Sequence, residues 1–267
     1  MIEEKKKFKL ISEKNPRIIL PNALTILGVC IGISSIKFAL DSNYGLAVVA
    51  IIVAAIFDAL DGRIARLIKG TSKVGKELDS LTDVISFGVA PAFIMFFWTL
   101  NEIGKLGWLV VLLYVVCCAL RLARFNITSN QDQEWKENFF EGVPSPSGAI
   151  LVLLPLVFYM SNLYEFDQYK TTISAATFIF VAFLMVSKIP TYSLKRIAIP
   201  RRTTVFLLLG ICLYFGLLVI YTFKVIFISG IIYLLFIPIS YLHFKRLDSN
   251  KNNLKNIDET EEPEDIL

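Results

Sequence analysis

The chain has 267 residues, of which 55% are apolar and 19% charged, with a formal net charge of +4 and a mean hydropathy of +0.62. Soluble domains average about 45–50% apolar and about 25% charged residues. The composition therefore excludes a soluble enzyme, a secreted disulfide scaffold and a disordered protein. Its long apolar blocks, each about 20 residues, match a hydrocarbon core about 30 Å thick and predict an all-α, polytopic helical membrane protein.

The chain opens with a basic segment, residues 1–19, that carries six Lys and Arg residues. This segment is either an amphipathic helix on an anionic membrane surface or a solvated arm, and it lacks the cleavage site of a signal peptide. Residues 20–244 predict one integral membrane domain of about eight transmembrane helices with short connections. The predicted helices cover 22–40, 45–67, 78–100, 107–125, 147–161, 171–188, 204–223 and 225–244. Residues 245–267 are polar and then acidic, which predicts a disordered cytoplasmic tail.

The positions of Lys and Arg predict the orientation of the chain in the cell membrane. Of the 27 basic residues, 23 fall in segments that alternate regularly with the apolar spans; these segments are 1–19, 63–76, 121–136, 188–202 and 245–255. Because loops rich in Lys and Arg stay in the cytoplasm, both termini are predicted to be cytoplasmic in a multi-pass protein.

Four aspartates interrupt the second and third apolar spans. Asp58 and Asp61 are three residues apart, Asp79 and Asp83 are four apart, and each pair shares a helix face. The short link at 69–76 makes the two helices antiparallel neighbours. An ionised side chain at mid-bilayer costs about 2.5–3.5 kcal/mol, so four of them must line a hydrated cavity near the cytoplasmic face. Hard divalent ions prefer oxygen ligands, and the pattern predicts a Mg²⁺ or Mn²⁺ site of two ions. Helix capping and an ion or proton pathway are the alternatives.

Small and basic residues surround these aspartates. Gly62 and Ala65 leave room for a bulky ligand, Gly75 allows a close backbone approach, and Arg66 adds positive charge. Carboxylates, a divalent ion and a basic rim together suit a ligand that carries phosphate groups. The one histidine, His243, lies at the end of the last apolar block, and the cysteines lie within apolar segments. A carboxylate is therefore the leading candidate for proton transfer.

The spacing of these residues resembles the signature of the CDP-alcohol phosphatidyltransferases, D-x2-D-G-x2-A-R-x8-G-x3-D-x3-D. All eight positions match, and they are Asp58, Asp61, Gly62, Ala65, Arg66, Gly75, Asp79 and Asp83. Further strings resemble the phosphatidylserine synthase branch of this family: PNALT at 21–25, RLARFN at 121–126, GVPSPSGA at 142–149 and KIPTYSLKRI at 188–197. The resemblance covers roughly residues 20–200.

The resemblance implies an enzyme of phospholipid biosynthesis. It implies transfer of the phosphatidyl group from CDP-diacylglycerol, or an archaeal ether-lipid analogue, to the hydroxyl of L-serine with release of CMP. It also implies a six-helix core around a polar cavity open to the cytoplasm, a homodimer surrounded by membrane lipids, and dependence on Mg²⁺ or Mn²⁺. Asp58, Asp61 and Asp79 would be metal ligands, and Asp83 would be the catalytic base and a further metal contact. The contacts to the nucleotide and lipid would be Asn22, Thr25, Gly62, Ala65, Arg66, Ser72 and Gly75.

The acceptor site is a separate hypothesis. Serine presents a carboxylate, for which an arginine fork is a natural partner. Arg121 or Arg124, with Ser145 or Ser147, would bind serine or a lipid phosphate; the alternative is that the arginines only anchor the helix at the cytoplasmic face. Two other functions stay open, namely the same transfer to glycerol phosphate or inositol phosphate, and divalent-ion transport. No nucleic-acid partner is expected.

Overall fold

A computed structural model describes residues 16–68, 70, 72–128, 139–163, 167–192 and 201–260. The basic segment before Pro16, predicted as either an amphipathic helix or a solvated arm, lies outside this range. The described helices are α1 (Pro16–Leu40), α2 (Tyr44–Leu67), α3 (Lys73–Asp83), α4 (Ala90–Trp98), α5 (Lys105–Thr128), α6 (Ser145–Met160), α7 (Lys170–Val186), α8 (Arg201–Ile220) and α9 (Thr222–Thr260). Two short strands, β1 (Phe139–Glu141) and β2 (Pro190–Tyr192), form an antiparallel pair.

Each of the eight predicted apolar segments forms helix, and the prediction of an all-α polytopic membrane protein is confirmed. Six of the helical segments are long and apolar enough to cross a bilayer; they are Ile19–Leu40, Tyr44–Leu67, Val74–Trp98, Lys105–Ile127, Asp167–Val186 and Thr222–Leu247. Helix α6 and the apolar part of α8, Thr204–Ile220, are shorter. A 16-residue helix such as α6 spans only about 24 Å at 1.5 Å per residue. Among the described residues six helical segments are therefore long enough to cross, and the predicted count of eight is not confirmed.

The last helix extends beyond the predicted end of the membrane domain at residue 244. Helix α9 continues to Thr260, into the segment 245–267 that was predicted as a disordered tail. No proline or glycine occurs between Pro238 and Pro263, so the sequence contains no strong helix breaker in that stretch. Residues 261–267 lie outside the described range.

Helix α6 occupies the centre of the bundle, where it packs against α4, α7 and α9. Ten of its 16 residues are buried. Small residues permit the close approach: a Cβ on Gly148 would lie 3.0 Å from Sδ of Met185 in α7, and one on Gly230 of α9 would lie 2.5 Å from Leu154. Helices in lipid associate through such tight van der Waals packing, because burial of apolar surface gains nothing there. The start of α6 is thereby held firmly against its neighbours.

The third membrane-spanning segment contains a turn of π-helix. Helices α3 and α4 are joined by the π turn Val84–Val89, which begins directly after Asp83. The buried Tyr114 hydroxyl of α5 donates a hydrogen bond to the Phe87 carbonyl at 2.8 Å. Turns of this kind are frequent at functional sites, since they change the direction of side chains within a helix. The π turn therefore sets how the aspartates of α3 face the rest of the bundle.

The strand pair joins the segment before α6 to the segment after α7. Glu141 pairs with Pro190, and the Thr191 hydroxyl donates to the Gly142 carbonyl at 2.8 Å. Gly142 has a φ of +71°, a left-handed conformation that favours glycine. These contacts hold the residues that lead into Ser145, the first residue of α6.

A polar cluster ties α7 to the short 3₁₀ turn at Leu100–Ile103 on the opposite side of the bundle. Glu102 accepts a hydrogen bond from Thr171 at 2.6 Å and pairs with Lys170 at 3.0 Å. The Thr171 hydrogen bond and the Lys170 ammonium hold the pKa of the Glu102 carboxyl below its ordinary value. This cluster contains none of the four aspartates. It connects the turn before α5 to the start of α7.

Candidate active site

Three of the four predicted aspartates converge between α2 and α3. One carboxylate oxygen from each of Asp58, Asp61 and Asp79 lies within 4.8 Å of the other two. Asp61 is only 3% exposed, and the other two are half-buried. Three negative groups this close repel each other unless a cation lies among them. The all-oxygen donor set fits a hard divalent ion, so this acidic cluster could bind such an ion.

Helix α1 supplies a hydrogen bond to this acidic cluster. The buried Thr25 hydroxyl donates to a carboxylate oxygen of Asp61 at 2.5 Å. A carboxylate held by one oxygen keeps the other available for a cation, and such supporting bonds orient metal ligands. Thr25 was predicted only as a contact to the nucleotide. Its hydrogen bond to Asp61, a candidate metal ligand, is seen only in the tertiary structure.

Asp83 lies one turn beyond Asp79, outside the three converging carboxylates but within hydrogen-bonding reach of Asp58. One of its oxygens accepts a hydrogen bond from the Ser145 hydroxyl at 3.0 Å. The other oxygen, Oδ1, is buried and has no hydrogen-bond partner among the described residues. A buried carboxylate oxygen without a partner is suited to accept a proton from a bound hydroxyl.

Ser145 also connects Asp83 to Arg121. The Arg121 Nη1 donates a long hydrogen bond of 3.4 Å to the Ser145 hydroxyl. Arg121 is 6% exposed, and within the described part of the chain its buried Nε has no partner. A free N–H donor and a free carboxylate oxygen therefore lie on either side of one serine. We call Asp83, Ser145 and Arg121 the acceptor triad.

The structure separates the two predicted arginines and the two predicted serines. Arg124 donates to the carbonyls of Val186 and Ser187, at 2.8 and 3.1 Å, and thus holds the end of α7. Ser147 instead lines a separate cavity of about 220 Å³, together with Tyr233 of α9. Of the four residues predicted for the acceptor site, Arg121 and Ser145 face Asp83, whereas Arg124 and Ser147 make other contacts.

A second part of the site is an open cavity of about 530 Å³ between α1, α2 and the start of α3. All seven residues predicted to contact the nucleotide and lipid line it, and they are Asn22, Thr25, Gly62, Ala65, Arg66, Ser72 and Gly75. Asp61 and Asp79 lie on its wall as well, so the cavity adjoins the acidic cluster. A volume in the range of about 300–1,000 Å³ is typical of small-molecule sites.

The two motif glycines of this cavity act differently. A Cβ on Gly75 would lie 2.9 Å from Oδ1 of Asn22, so glycine lets α3 approach α1 closely. A Cβ on Gly62 would meet no atom within 4 Å and would project into open space. Gly62 therefore leaves room for a ligand beside Asp61, as predicted. Gly75 instead allows α1 and α3 to pack closely and form the wall of the cavity.

The N-terminus of α3 provides the positive end of the cavity. Ser72 caps this helix by accepting a hydrogen bond from the backbone N–H of Gly75 at 2.9 Å. Free N–H groups and the helix dipole favour an anion at this position. The exposed side chains of Arg66 and Lys76 line the same cavity. The arrangement suits a ligand with phosphate groups.

Three cavity residues lie outside the sets predicted for metal and nucleotide, and they are Pro21, Gly70 and Lys76. The Gly70 backbone N–H donates to the Ala65 carbonyl at 2.9 Å, shortly after the end of α2 at Leu67. A glycine shortly after a helix is a recognised signal for its end, but it does not indicate that the turn faces a cavity.

Much of the chain is similar to known proteins. Residues 18–189 match the family model of the CDP-alcohol phosphatidyltransferases, which covers α1 to α7 and leaves α8 and α9 outside. The CDP-diacylglycerol–serine O-phosphatidyltransferase of Mycobacterium leprae is 34% identical over 233 residues, 85% of this chain and 76% of its own. The enzyme of the same name from Helicobacter pylori is 37% identical over 75% of this chain and 83% of its own. An archaetidylserine synthase of Methanothermobacter thermautotrophicus is 35% identical over 64% of this chain and 69% of its own.

Proposed function

Because the chain belongs to the CDP-alcohol phosphatidyltransferase family, we propose that it transfers the phosphatidyl group of CDP-diacylglycerol, or of an archaeal ether-lipid analogue, to the hydroxyl of L-serine, with release of CMP. The acceptor triad beside the acidic cluster carries this proposal, because it places a free carboxylate oxygen and a free guanidinium N–H on either side of Ser145. The names of the bacterial and archaeal relatives support the same acceptor.

The cavity between α1, α2 and α3 is the proposed site of the nucleotide and its two phosphates. The N-terminus of α3, with Arg66 and Lys76, offers positive charge to the phosphates. Gly62 leaves space beside Asp61 for the nucleotide to lie against α2. The diacylglycerol chains would remain in the lipid at the side of the bundle, where the exposed apolar residues of α1 and α2 lie.

We assign Asp58, Asp61 and Asp79 as the ligands of Mg²⁺ or Mn²⁺, with two ions bound and Asp83 as a further contact. Such ions, when bound, neutralise the diphosphate and the charge that develops on the leaving CMP. The Thr25 hydroxyl orients Asp61 for this role through its 2.5 Å hydrogen bond.

Asp83 is the proposed general base. Its free Oδ1 takes the proton of the serine hydroxyl while the hydroxyl oxygen attacks the phosphorus next to diacylglycerol. The bond between that phosphorus and the CMP oxygen breaks, and CMP leaves with the bonding electron pair. Ser145 holds the other oxygen of Asp83 at 3.0 Å and thereby fixes the direction of the free one. Transfer of this type depends mainly on positioning and charge neutralisation.

Arg121 is the proposed partner of the serine carboxylate. A buried guanidinium with a free N–H matches a carboxylate in charge and in geometry. Glycerol phosphate and inositol phosphate carry more negative charge and would call for a second cation at this point. The neighbouring Arg124 is bound instead to the carbonyls of Val186 and Ser187. These contacts favour L-serine over a phosphorylated acceptor.

We further propose that the active site and both termini face the cytoplasm. The link between α2 and α3 lies at the same side of the bundle as the start of α1, and the segments that the sequence predicts for this side hold most of the Lys and Arg residues. The protein would act in the cell membrane as a homodimer surrounded by lipid. Labelling of single cysteines placed in the loops of intact cells, and crosslinking in lipid nanodiscs, would test the orientation and the homodimer.

The purified protein in lipid vesicles tests the main proposal. We expect CMP release and a phosphatidylserine product when CDP-diacylglycerol and L-serine are supplied with Mg²⁺ or Mn²⁺, and loss of both after chelation. Glycerol phosphate and inositol phosphate should give little CMP under the same conditions. Turnover with inositol phosphate but none with serine would overturn the acceptor assignment. Divalent-ion flux across the vesicles without CMP release would indicate a transporter.

A further inference from the structure

Asn126 lies near the end of α5 and is the last residue of the string RLARFN, of which the acceptor triad uses only Arg121. Its side-chain amide donates a hydrogen bond to the Ser80 hydroxyl of α3 at 2.9 Å. The Ser80 hydroxyl itself donates to the Lys76 carbonyl at 3.2 Å, one turn earlier in the same helix. Its proton is therefore engaged within α3, and its oxygen accepts the N–H that α5 supplies.

This hydrogen bond lies beside the acceptor triad. Ser80 and Asp83 are three residues apart on α3 and lie on the same side of this helix. At 1.5 Å per residue, Ser80 lies about 4.5 Å before Asp83 along the helix axis. Asn126 lies about 7.5 Å beyond Arg121 along α5, by the same measure. The bond therefore joins the two helices about one turn from the triad, towards the start of α3 and the end of α5.

Three hydrogen bonds join the three helices of the acceptor triad in pairs. Two of them involve Ser145 of α6, which donates to Asp83 at 3.0 Å and accepts from Arg121 at 3.4 Å. The third, from Asn126 to Ser80, joins α5 directly to α3. Because 3.4 Å is already near the limit for a hydrogen bond, a shift of α5 against α3 by a few tenths of an ångström would break that contact. The shorter third bond limits such a shift.

The start of α3 is held by a different helix. Gly75 packs against α1, where an added Cβ would lie 2.9 Å from Oδ1 of Asn22, and both residues line the nucleotide cavity. Neither Asp83 nor Asn126 lines this cavity. Loss of the bond between Asn126 and Ser80 should therefore loosen the second half of α3, which carries Asp83, while its first half stays on α1.

We propose that Asn126 is a positioning residue for the acceptor, which holds α3 against α5 so that Asp83 and Arg121 keep their places on either side of Ser145. The inference rests on the proposed function and deepens it, since it adds a residue that acts through α3 and not by contact with the alcohol. Loss of the bond should affect the use of L-serine and leave the use of CDP-diacylglycerol unchanged.

Asn126→Ala removes the donor of this bond, and Ser80→Ala removes the acceptor. Each change should raise the KM for L-serine about fivefold, which corresponds to one hydrogen bond of about 1 kcal/mol. The KM for CDP-diacylglycerol should stay at the wild-type value. Ser80→Thr keeps the hydroxyl and should keep the wild-type KM for L-serine. Ser34→Ala is the matched control, because the exposed Ser34 of α1 also donates to a carbonyl four residues earlier but lies outside the nucleotide cavity and the triad.

The double variant of Asn126→Ala with Ser80→Ala separates positioning from general loss of structure. It should raise the KM for L-serine no further than the stronger single change, because both changes remove the same hydrogen bond. Multiplying effects would overturn the proposal, as would equal changes in both KM values or an unchanged KM for L-serine in Asn126→Ala. If the wild-type protein uses another alcohol and not L-serine, the proposed acceptor fails, and the same variants assayed with that alcohol test this assignment. Turnover with no alcohol at all would overturn both.

Discussion

The two halves of the proposed active site are built in different ways. The nucleotide half uses residues from Pro21 to Asp79, which belong to three consecutive helices and the link between the last two. The acceptor half joins Asp83, Arg121 and Ser145. The first half depends on how three consecutive helices pack, and the second depends on how α3, α5 and α6 pack against each other. In the proposed function, binding of the donor therefore depends on residues 21–79, and the choice of acceptor depends on helices outside that stretch as well.

The halves also differ in charge. The nucleotide half combines carboxylates, which could bind a divalent ion, with a rim of exposed basic residues. The acceptor half contains the buried Arg121 and the half-buried Asp83, with Ser145 between them. A substitution in the first half should therefore alter the use of metal and nucleotide, and one in the second should alter the use of the alcohol.

The largest expected effect comes from Asp83, where the two halves meet. Asp83→Asn should lower kcat by about 10²–10⁴, because an amide cannot take the proton of the acceptor hydroxyl. Binding of CDP-diacylglycerol should remain near the wild-type value, since Asp83 does not line the nucleotide cavity. Steady-state kinetics and nucleotide binding by calorimetry would measure both quantities. Asp41→Asn, which removes an exposed partner of Lys37, is the control, and wild-type turnover in Asp83→Asn would place the base elsewhere.

The next effect belongs to the acidic cluster. Asp58→Asn should raise the Mg²⁺ concentration for half-maximal activity by about 100-fold. Substitution of residues that only hydrogen-bond to a metal ligand already lowers metal affinity by about 10–100-fold, and Asp58 is proposed as a ligand itself. Titration of activity with Mg²⁺ and Mn²⁺ would measure the shift. Glu77→Gln removes an exposed carboxylate from α3 outside the cluster and should not alter the titration. An unchanged curve for Asp58→Asn would remove Asp58 from the proposed ligands.

The two arginines of α5 provide a test within the acceptor half. Arg121→Lys keeps the positive charge but loses the planar guanidinium that can bind both oxygens of a carboxylate. A hydrogen bond to a charged group contributes about 1.5–3 kcal/mol, so the KM for L-serine should rise about 20-fold. Arg124→Lys should leave this KM unchanged and lower the thermal stability instead, since Arg124 holds the carbonyls at the end of α7. Kinetics and thermal unfolding in detergent would separate the two outcomes. The reverse pattern would exchange their assigned roles.

The smallest effect is expected at Gly75. In Gly75→Ala the new methyl group would lie 2.9 Å from Oδ1 of Asn22, and Asn22 would have to leave its position in the cavity wall. Displacing a side chain from its rotamer costs about 0.5–1.5 kcal/mol, so the KM for CDP-diacylglycerol should rise about threefold with no change for L-serine. Gly210→Ala on α8 meets no atom within 4 Å and is the control. A rise in the KM for L-serine alone would contradict the division into two halves.

Local patterns predicted much of the fold and the acidic cluster. Helix periodicity places Asp58 beside Asp61 and Asp79 near Asp83 whatever surrounds them, and the short link makes the two helices neighbours. The seven nucleotide contacts were predicted from the resemblance to the family, and the structure brings all of them to one cavity. The strands β1 and β2 were not predicted, because three residues are too few to show an alternating pattern. The predicted count of eight spans is not confirmed, since α6 is apolar but short.

By itself, the sequence determined that this is a helical membrane protein of its family, with an acidic cluster between α2 and α3, because those properties follow from composition and from spacings of three to eight residues. Only the tertiary structure decided that Arg121 rather than Arg124 bonds to Ser145 beside Asp83. Arginines three residues apart share a helix face, so their different roles depend on which helix packs against each. That packing is a property of the whole bundle and has no counterpart in a local pattern.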